Sequence, residues 1–198
     1  MFMPFEQDNT TNKVVIKNDL FTPDECNKII KNAQKIKQQE AFIGGSTKNL
    51  NSKIRKNKIR WINNYDKNDL GWAFEKIAQF IYNANNDHYK FDLYGLTESL
   101  QFTEYTQKND HYDWHSDSGL NQQIRKLSIC IQLSDPKNYK GSKLKFHAYE
   151  YDKEFDKNFP INQGCAVIFP SYMEHQVTPL LSGKRYSWVT WIGGPNFK

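Results

Sequence analysis

The second half of this chain is built from short runs in which apolar and polar residues alternate. They fall at residues 100–106, 125–134, 142–149, 165–169 and 185–192. Gly119, Asp135-Pro136, Gly141, Gly164 and Ser182-Gly183 punctuate them with turn chemistry. A period of two turns one face of a strand inward. Several such strands, spaced by turns, predict a β-sandwich or barrel. In the run beginning at Arg125, Leu127, Ile129, Ile131 and Leu133 form the apolar row, which leaves Gln132 on the opposite face.

The first 90 residues have a different texture. Val14, Val15 and Ile16 predict a short strand. Thr22, Pro23 and Glu25 match a helix start: Thr as N-cap, Pro in the first turn, Glu closing a capping box. Ile29, Ile30, Ala33 and Ile36 follow at helical spacing, so this helix is expected to run to about residue 39. Residues 53–62 read as a strand pair or one long strand. Asp69 is expected to cap a second helix carrying Ala73, Phe74, Ile77, Phe80 and Ile81 on one face, ending in the polar stretch 83–87. The expected fold is mainly β with flanking α, the N-terminal helices packed on one sheet over the row of Leu127. Residues 1–198 are read as a single domain, with 1–90 as helical support and 97–195 as the core.

Composition narrows the function classes. Aromatic residues make up 15% of the 198, far above what a disordered chain carries. No apolar run approaches the roughly 20 residues needed to span a bilayer, and residues 1–10 carry Glu6 and Asp8 with no signal-peptide core. Cys26, Cys130 and Cys165 lack metal-site spacing and read as thiols in a reducing compartment, hence a cytoplasmic location. The net charge is +5, but only four of the 27 basic residues are arginine. Nucleic-acid readers lean on arginine, so the lysine excess reads as a solvated surface and no nucleic-acid partner is expected. Residues 48–60 form the one basic cluster.

The densest chemistry lies in His111-Tyr112-Asp113-Trp114-His115-Ser116-Asp117-Ser118-Gly119. His and Asp two apart on an extended chain point to one side and can ligate one ion. A further His from a distant strand completes two His and one carboxylate, the set that leaves positions open in non-haem Fe(II) oxygenases. His175, after Phe169-Pro170, supplies it. Arg185 follows ten residues later with Ser187 on the same face, and a guanidinium suits two-pronged capture of a carboxylate such as the far end of 2-oxoglutarate. Two His-x-Asp pairs compete for the metal: His111 with Asp113, and His115 with Asp117.

Three segments carry a family resemblance: 112–119, 125–136, and 169 through His175 to Arg185-Tyr186-Ser187-Trp188. Over about residues 97–195 the chain resembles the Fe(II)- and 2-oxoglutarate-dependent dioxygenases of the prolyl 4-hydroxylase superfamily, most of all PKHD-type hydroxylases. The resemblance implies a double-stranded β-helix, a cupin-like jelly roll. It favours His115 and Asp117, because the family pattern has Tyr three before the iron His and Gly two after the Asp, as Tyr112 and Gly119 stand here. It implies Fe(II) on His115, Asp117 and His175, and 2-oxoglutarate on Arg185 and Ser187, with Tyr105 and Gln132 beside it. Dioxygen is consumed, succinate and CO2 are released, and ascorbate serves as reductant. Tyr112, Asp113 and Trp191 are expected near the substrate, and Trp114 and Trp188 are further candidates for an aromatic-walled mouth. Such a mouth favours a prolyl residue of a peptide or protein. A free amino acid or other small molecule is the alternative, and a cupin-like metal-binding protein without turnover is the other class. A nucleic-acid demethylase is disfavoured, since no base-stacking or arginine-rich element is evident. His88 and His147 match nothing and read as surface residues. Sequence leaves the oligomeric state open.

Overall fold

The computed structural model describes residues 13–41, 53–63, 69–119, 124–149, 152–159 and 162–196. Two antiparallel sheets face each other as a double-stranded β-helix. The larger uses β1 (Val15–Lys17), β2 (Gln39–Glu40), β4 (Lys58–Ile62), β5 (Gly95–Leu96), β6 (Leu100–Tyr105), β8 (Arg125–Gln132), β11 (Ala166–Pro170) and β14 (Arg185–Gly193). Their order is β1-β11-β8-β14-β6-β4-β2, with β5 also beside β14. The smaller uses β3 (Arg55–Lys56), β7 (His111–His115), β10 (Leu144–Phe146) and β12 (His175–Val177), in the order β10-β12-β7-β3. A two-stranded ribbon joins β9 (Tyr139–Gly141) to β13 (Leu180–Gly183).

Two helices cover the outer face of the larger sheet. The first, α1 (Pro23–Ala33), opens with the predicted capping box: Thr22 Oγ1 accepts from the Glu25 amide, and the Glu25 carboxylate accepts from the Thr22 amide. Such a cap is worth about 1 kcal/mol. The helix stops at Ala33 rather than near residue 39. Its end tightens into bonds from Lys35 N to Asn32 O and Ile36 N to Ala33 O, and the Arg60 guanidinium takes the carbonyls of Gln34 and Ile36. Carbonyls held from outside cannot continue an α-helical ladder. Ile36 still packs against the core, which is why its spacing looked helical.

The second helix, α2 (Gly71–Ala84), starts one residue later than Asp69 as N-cap would place it. Asp69 sits at φ +54°, and Leu70 is the N-cap, with no side-chain bond. The polar stretch 83–87 does not end the helical path: a π-helical turn continues over Asn85–Tyr89, closed by Lys90 at φ +57°. That turn brings the buried Tyr89 hydroxyl to the carbonyls of Lys13 and Ile168.

Leu127, Ile129, Ile131 and Leu133 are fully buried against Ile29, Ala33, Phe74 and Ile77, as the alternation predicted. Each such side chain contributes about 1.5–3 kcal/mol by leaving water. Trp188 belongs to this same core, edge-on to Phe74, and not to the mouth of the barrel. It is one residue out of phase with Ser187, so it faces the helices. The run at 142–149 is strand only over Leu144–Phe146 and then turns as a short 3-10 helix over His147–Tyr149. A third helix, α3 (Lys153–Asn158), packs Phe155 on Phe146 at the end of the smaller sheet.

Of the basic cluster at 48–60, residues 48–52 lie outside the described residues. The rest is no single solvated patch: Arg55 is buried, Arg60 pairs with buried Glu104 at 2.7 Å, and Lys58 pairs with Glu40. All three cysteines are buried and free. Burial pushes the thiols of Cys26 and Cys165 up to about 12. Among the described residues, no helix is long and apolar enough to cross a membrane.

Candidate active site

Strand pairing brings the proposed ligands together. His115 ends β7 and stands directly opposite His175 at the start of β12. Asp117 follows on the loop, where its amide and that of Ser118 both donate to Ser171 O at 2.9 Å. The ligand atoms of His115, Asp117 and His175 all lie within 4.8 Å of one another. Nε2 of His175 is 3.5 Å from Asp117 Oδ2, and Nε2 of His115 is 3.8 Å from Oδ1.

The surroundings prepare each group for a metal. Nδ1 of His115 bonds Asp113 O at 2.7 Å, and Nδ1 of His175 bonds Met173 O at 2.9 Å. A ring that donates through Nδ1 carries its lone pair on Nε2, the atom facing the carboxylate. Burial, then the neighbouring His175, pushes His115 down to about 3, so the imidazole is neutral and can ligate. Burial works against the charge of Asp117, yet His175, His115 and the Ser128 hydroxyl hold its carboxyl below the usual range. Ser128 Oγ donates to Asp117 Oδ2 at 2.7 Å and lies 2.9 Å from Ser171 Oγ.

The rival pair separates cleanly. Both ring nitrogens of His111 face backbone carbonyls rather than a carboxylate, Nδ1 2.9 Å from Asn109 O and Nε2 3.0 Å from Lys53 O. Asp113 is exposed, and its Oδ1 accepts from the Trp114 amide. A β-bulge explains why simple alternation fails here. Two steps along β12, from His175 to Val177, match three along β7, from His115 to Tyr112. Tyr112 therefore shares the side of His115 and stacks on its ring at 3.5 Å between centroids. Arg55 covers the Tyr112 ring at 4.4 Å and donates to Gln101 Oε1.

Deeper in the barrel lies Arg185, 3% exposed, opposite Tyr105 in the strand register. Ser187 is on the same face, opposite Thr103 on one side and Gln132 on the other. The Gln132 amide is fully engaged. Its Oε1 accepts from Arg185 Nε at 2.9 Å, and its Nε2 donates to Ser134 O and the Tyr139 hydroxyl. Gln132 and Tyr139 thus fix the guanidinium. Tyr105 is buried beneath it at 5.4 Å, and burial pushes its phenol up to about 12, so it stays a neutral donor. Arg185 Nη1 is buried and has no hydrogen-bond partner. It lines a cavity of about 250 Å³ with Gln132, Tyr139, Leu144 and Val167. An unpaired buried guanidinium nitrogen is costly unless an anion reaches it. Trp191 is buried opposite Ser128 in the strand register, under the Arg125 guanidinium at 3.8 Å and 6.3 Å from Trp61.

A model of the 2OG-Fe(II) oxygenase superfamily matches residues 100–193, the segment that holds every one of these groups except Arg55 and Trp61. That match makes residues 100–193 a 2OG-Fe(II) oxygenase domain. Curated relatives agree. The oxygenase is 29% identical to a PKHD-type hydroxylase of Sphingopyxis alaskensis over 76% of its own length and 67% of the relative's. It is 38% identical to one from a Synechococcus strain over 42% of its length and 36% of the relative's. The chain spans from 28% to 67% of the length of such curated PKHD-type relatives. Among solved structures, a Pseudomonas putida prolyl-4-hydroxylase superposes with TM-score 0.71 at 18% identity, covering 96% of each chain. A Trichoplax adhaerens prolyl hydroxylase, in complex with a hypoxia inducible factor peptide, gives 0.74 at 16% identity over 94% of this chain and 86% of that one. These two likenesses speak for the fold.

The donor set fits the group that the family implies. Two imidazole nitrogens and a carboxylate are the facial set of non-haem Fe(II), and the unpaired Arg185 nitrogen fits a carboxylate. Sequence reading placed Tyr105, Gln132 and Ser187 on the right face but missed four others in the oxygenase. Ser128 was within reach, since it alternates with Leu127 and Ile129 on the interior row. Arg55 is hidden in a lysine-rich window, and Arg125 stands at the head of its strand with nothing local to mark it. Nothing local marked Tyr139. His147 is exposed, as expected, while His88 is half-buried.

Proposed function

We propose that the oxygenase hydroxylates an unactivated C–H bond on a prolyl residue of a peptide or protein, with release of succinate and CO2. The observation that carries this is the pairing of two sites inside one barrel: the His115, Asp117 and His175 set, and the unpaired Arg185 nitrogen. Fe(II) with 2-oxoglutarate and dioxygen supplies the oxidising chemistry when bound. His115, Asp117 and His175 hold the metal, each imidazole kept in its ligating tautomer by a backbone carbonyl. Ser128 holds the Asp117 carboxylate in place. Arg185 takes the far carboxylate of 2-oxoglutarate, with Tyr105 and Ser187 beside it and Gln132 fixing the fork. Tyr112 and Arg55 close one side of His115 and keep water off that face. Ascorbate is the reductant proposed to keep the iron ferrous.

Trp191 and Trp61, with ring centroids 6.3 Å apart, support an apolar mouth suited to a proline ring, whereas Trp114 packs on the exposed His147 instead. Asp113 at the rim is the proposed contact for a polar part of the substrate. The prolyl hydroxylase likeness and the peptide held by the Trichoplax protein support a peptide substrate. The buried free thiols favour a reducing, cytoplasmic setting. Residues 1–198 are read as one unit, because β1 and β4 from the N-terminal part complete the larger sheet. The test is mass spectrometry of a prolyl-peptide panel with Fe(II), 2-oxoglutarate and ascorbate. A gain of one oxygen on Pro, dependent on 2-oxoglutarate, is expected. Turnover of free amino acids with every peptide inert would replace the peptidyl reading. Tight metal binding with no succinate from any substrate would favour a binding protein without turnover.

A further inference from the structure

The cavity beside Arg185 holds a second unsatisfied polar group. Ser142 is 1% exposed, lines the same cavity, and its Oγ has no hydrogen-bond partner. Its backbone is also out of the ordinary. Ser142 sits at φ +50°, in the left-handed region where a Cβ is penalised and glycine is not.

The conformation is imposed from both sides. The preceding Gly141 is at φ +77°, and a Cβ there would lie 2.3 Å from Pro179 O. The Ser142 amide donates to that same Pro179 O at 3.1 Å, and the Lys143 amide donates to Thr178 Oγ1 at 2.9 Å. Glycine would relieve the strain at position 142 without loss of any backbone bond. A serine kept there, strained and with its hydroxyl unpaired, is the kind of outlier that points toward function. The lining tells the sign of what the hydroxyl meets. Arg185, Lys140 and Lys143 line the cavity, and among the described residues no carboxylate does.

We propose that Ser142 is a further cosubstrate-binding residue, its hydroxyl donating to the same distal carboxylate that Arg185 holds. This rests on the reading of Arg185 as the 2-oxoglutarate arginine. The hydroxyl adds a donor from β9–β10, so the carboxylate is gripped from the smaller sheet's side as well as from β14. The part of the cosubstrate that chelates metal is untouched by it. Ser142 therefore sets the preference of the pocket for a dicarboxylate over an otherwise similar monocarboxylate.

Calorimetric titration of the Mn(II)-loaded protein with two ligands separates these parts. One ligand is 2-oxoglutarate. The other is 2-oxobutyrate, which has the same chelating end and no distal carboxylate. Ser142→Ala is expected to weaken 2-oxoglutarate about tenfold, or about 1.4 kcal/mol, and to leave 2-oxobutyrate unchanged. Ser142→Gly is expected to show the same selective loss with a melting temperature no lower than wild type, which removes misfolding as the cause. If both variants bind 2-oxoglutarate within twofold of wild type, or weaken both ligands equally, Ser142 has no such role while the Arg185 reading stands. If wild type prefers 2-oxoglutarate no more than 2-oxobutyrate, the Arg185 reading itself falls and takes this proposal with it.

Discussion

Ser128→Ala removes a single oxygen from a fully buried position and should weaken metal binding by about 10- to 100-fold. The magnitude follows from what that oxygen does. Ser128 Oγ donates to Asp117 Oδ2 at 2.7 Å, a bond to a charged acceptor worth about 1.5–3 kcal/mol. Tenfold to 100-fold corresponds to about 1.4–2.7 kcal/mol, so the two estimates meet. The backbone of Asp117 is anchored separately, by its amide on Ser171 O. The substitution therefore frees the carboxylate rotamer without releasing the loop. It also removes one of the influences that hold the Asp117 carboxyl low. The acid limb of metal binding should then move to higher pH, since a carboxylate that protonates more easily loses its metal sooner. Anaerobic competition titration with a chelator of known affinity, repeated across pH, reads both effects. A dissociation constant within twofold of wild type, with an unmoved acid limb, would refute the claim that Ser128 orients Asp117.

Arg185→Lys keeps the charge but loses the two-pronged fork. The Michaelis constant for 2-oxoglutarate should rise at least tenfold, about 1.4 kcal/mol, with metal affinity intact, and an unchanged constant would remove Arg185 from the cosubstrate site. His111→Ala should leave metal binding within a few-fold of wild type while His115→Ala abolishes it, as measured by metal content after desalting; the reverse pattern would restore the rival pair. His115 is depressed to about 3 in the fold and titrates near 6.5 when unfolded. The unfolded chain therefore binds the extra proton first, and the metal-free protein should lose stability as pH falls from about 6.5 towards 3, by at most about 1.4 kcal/mol per pH unit from this group. Urea midpoints across that range should fall less steeply for His115→Gln, and parallel curves would show that His115 is not the group responsible.

The chemistry of this chain was more legible than its geometry. Spacing narrowed the metal ligands to two His-x-Asp pairs with His175, the family resemblance singled out His115 and Asp117, and the fold brings these two together with His175. The helix-facing row of β8 could be read as well, because a strand with one face buried against helices must alternate. Period two failed at the bulge in β7, where Tyr112 swings to the side of His115 through a pairing irregularity that no local composition marks. It also misled at Trp188, where the strand face was plain but the aromatic was assigned to the mouth. Helix ends were read less well than helix existence. The end of α1 depends on Arg60, 27 residues beyond Ala33 in sequence, and the start of α2 follows a left-handed Asp69. Gln132 was expected to face the cosubstrate; in the fold its amide is spent on Arg185 and Tyr139, a partnership that only three-dimensional packing reveals.

The central claim is that His115, Asp117 and His175 form an Fe(II) centre that turns over 2-oxoglutarate. Its most direct test is succinate released from 2-oxoglutarate under air, with and without Fe(II), by the wild-type protein and by Asp117→Ala. Iron-dependent succinate from wild type, and none above background from Asp117→Ala, is the expected result. Equal succinate from both proteins, or iron-dependent turnover that survives loss of Asp117, would contradict the assignment of this centre.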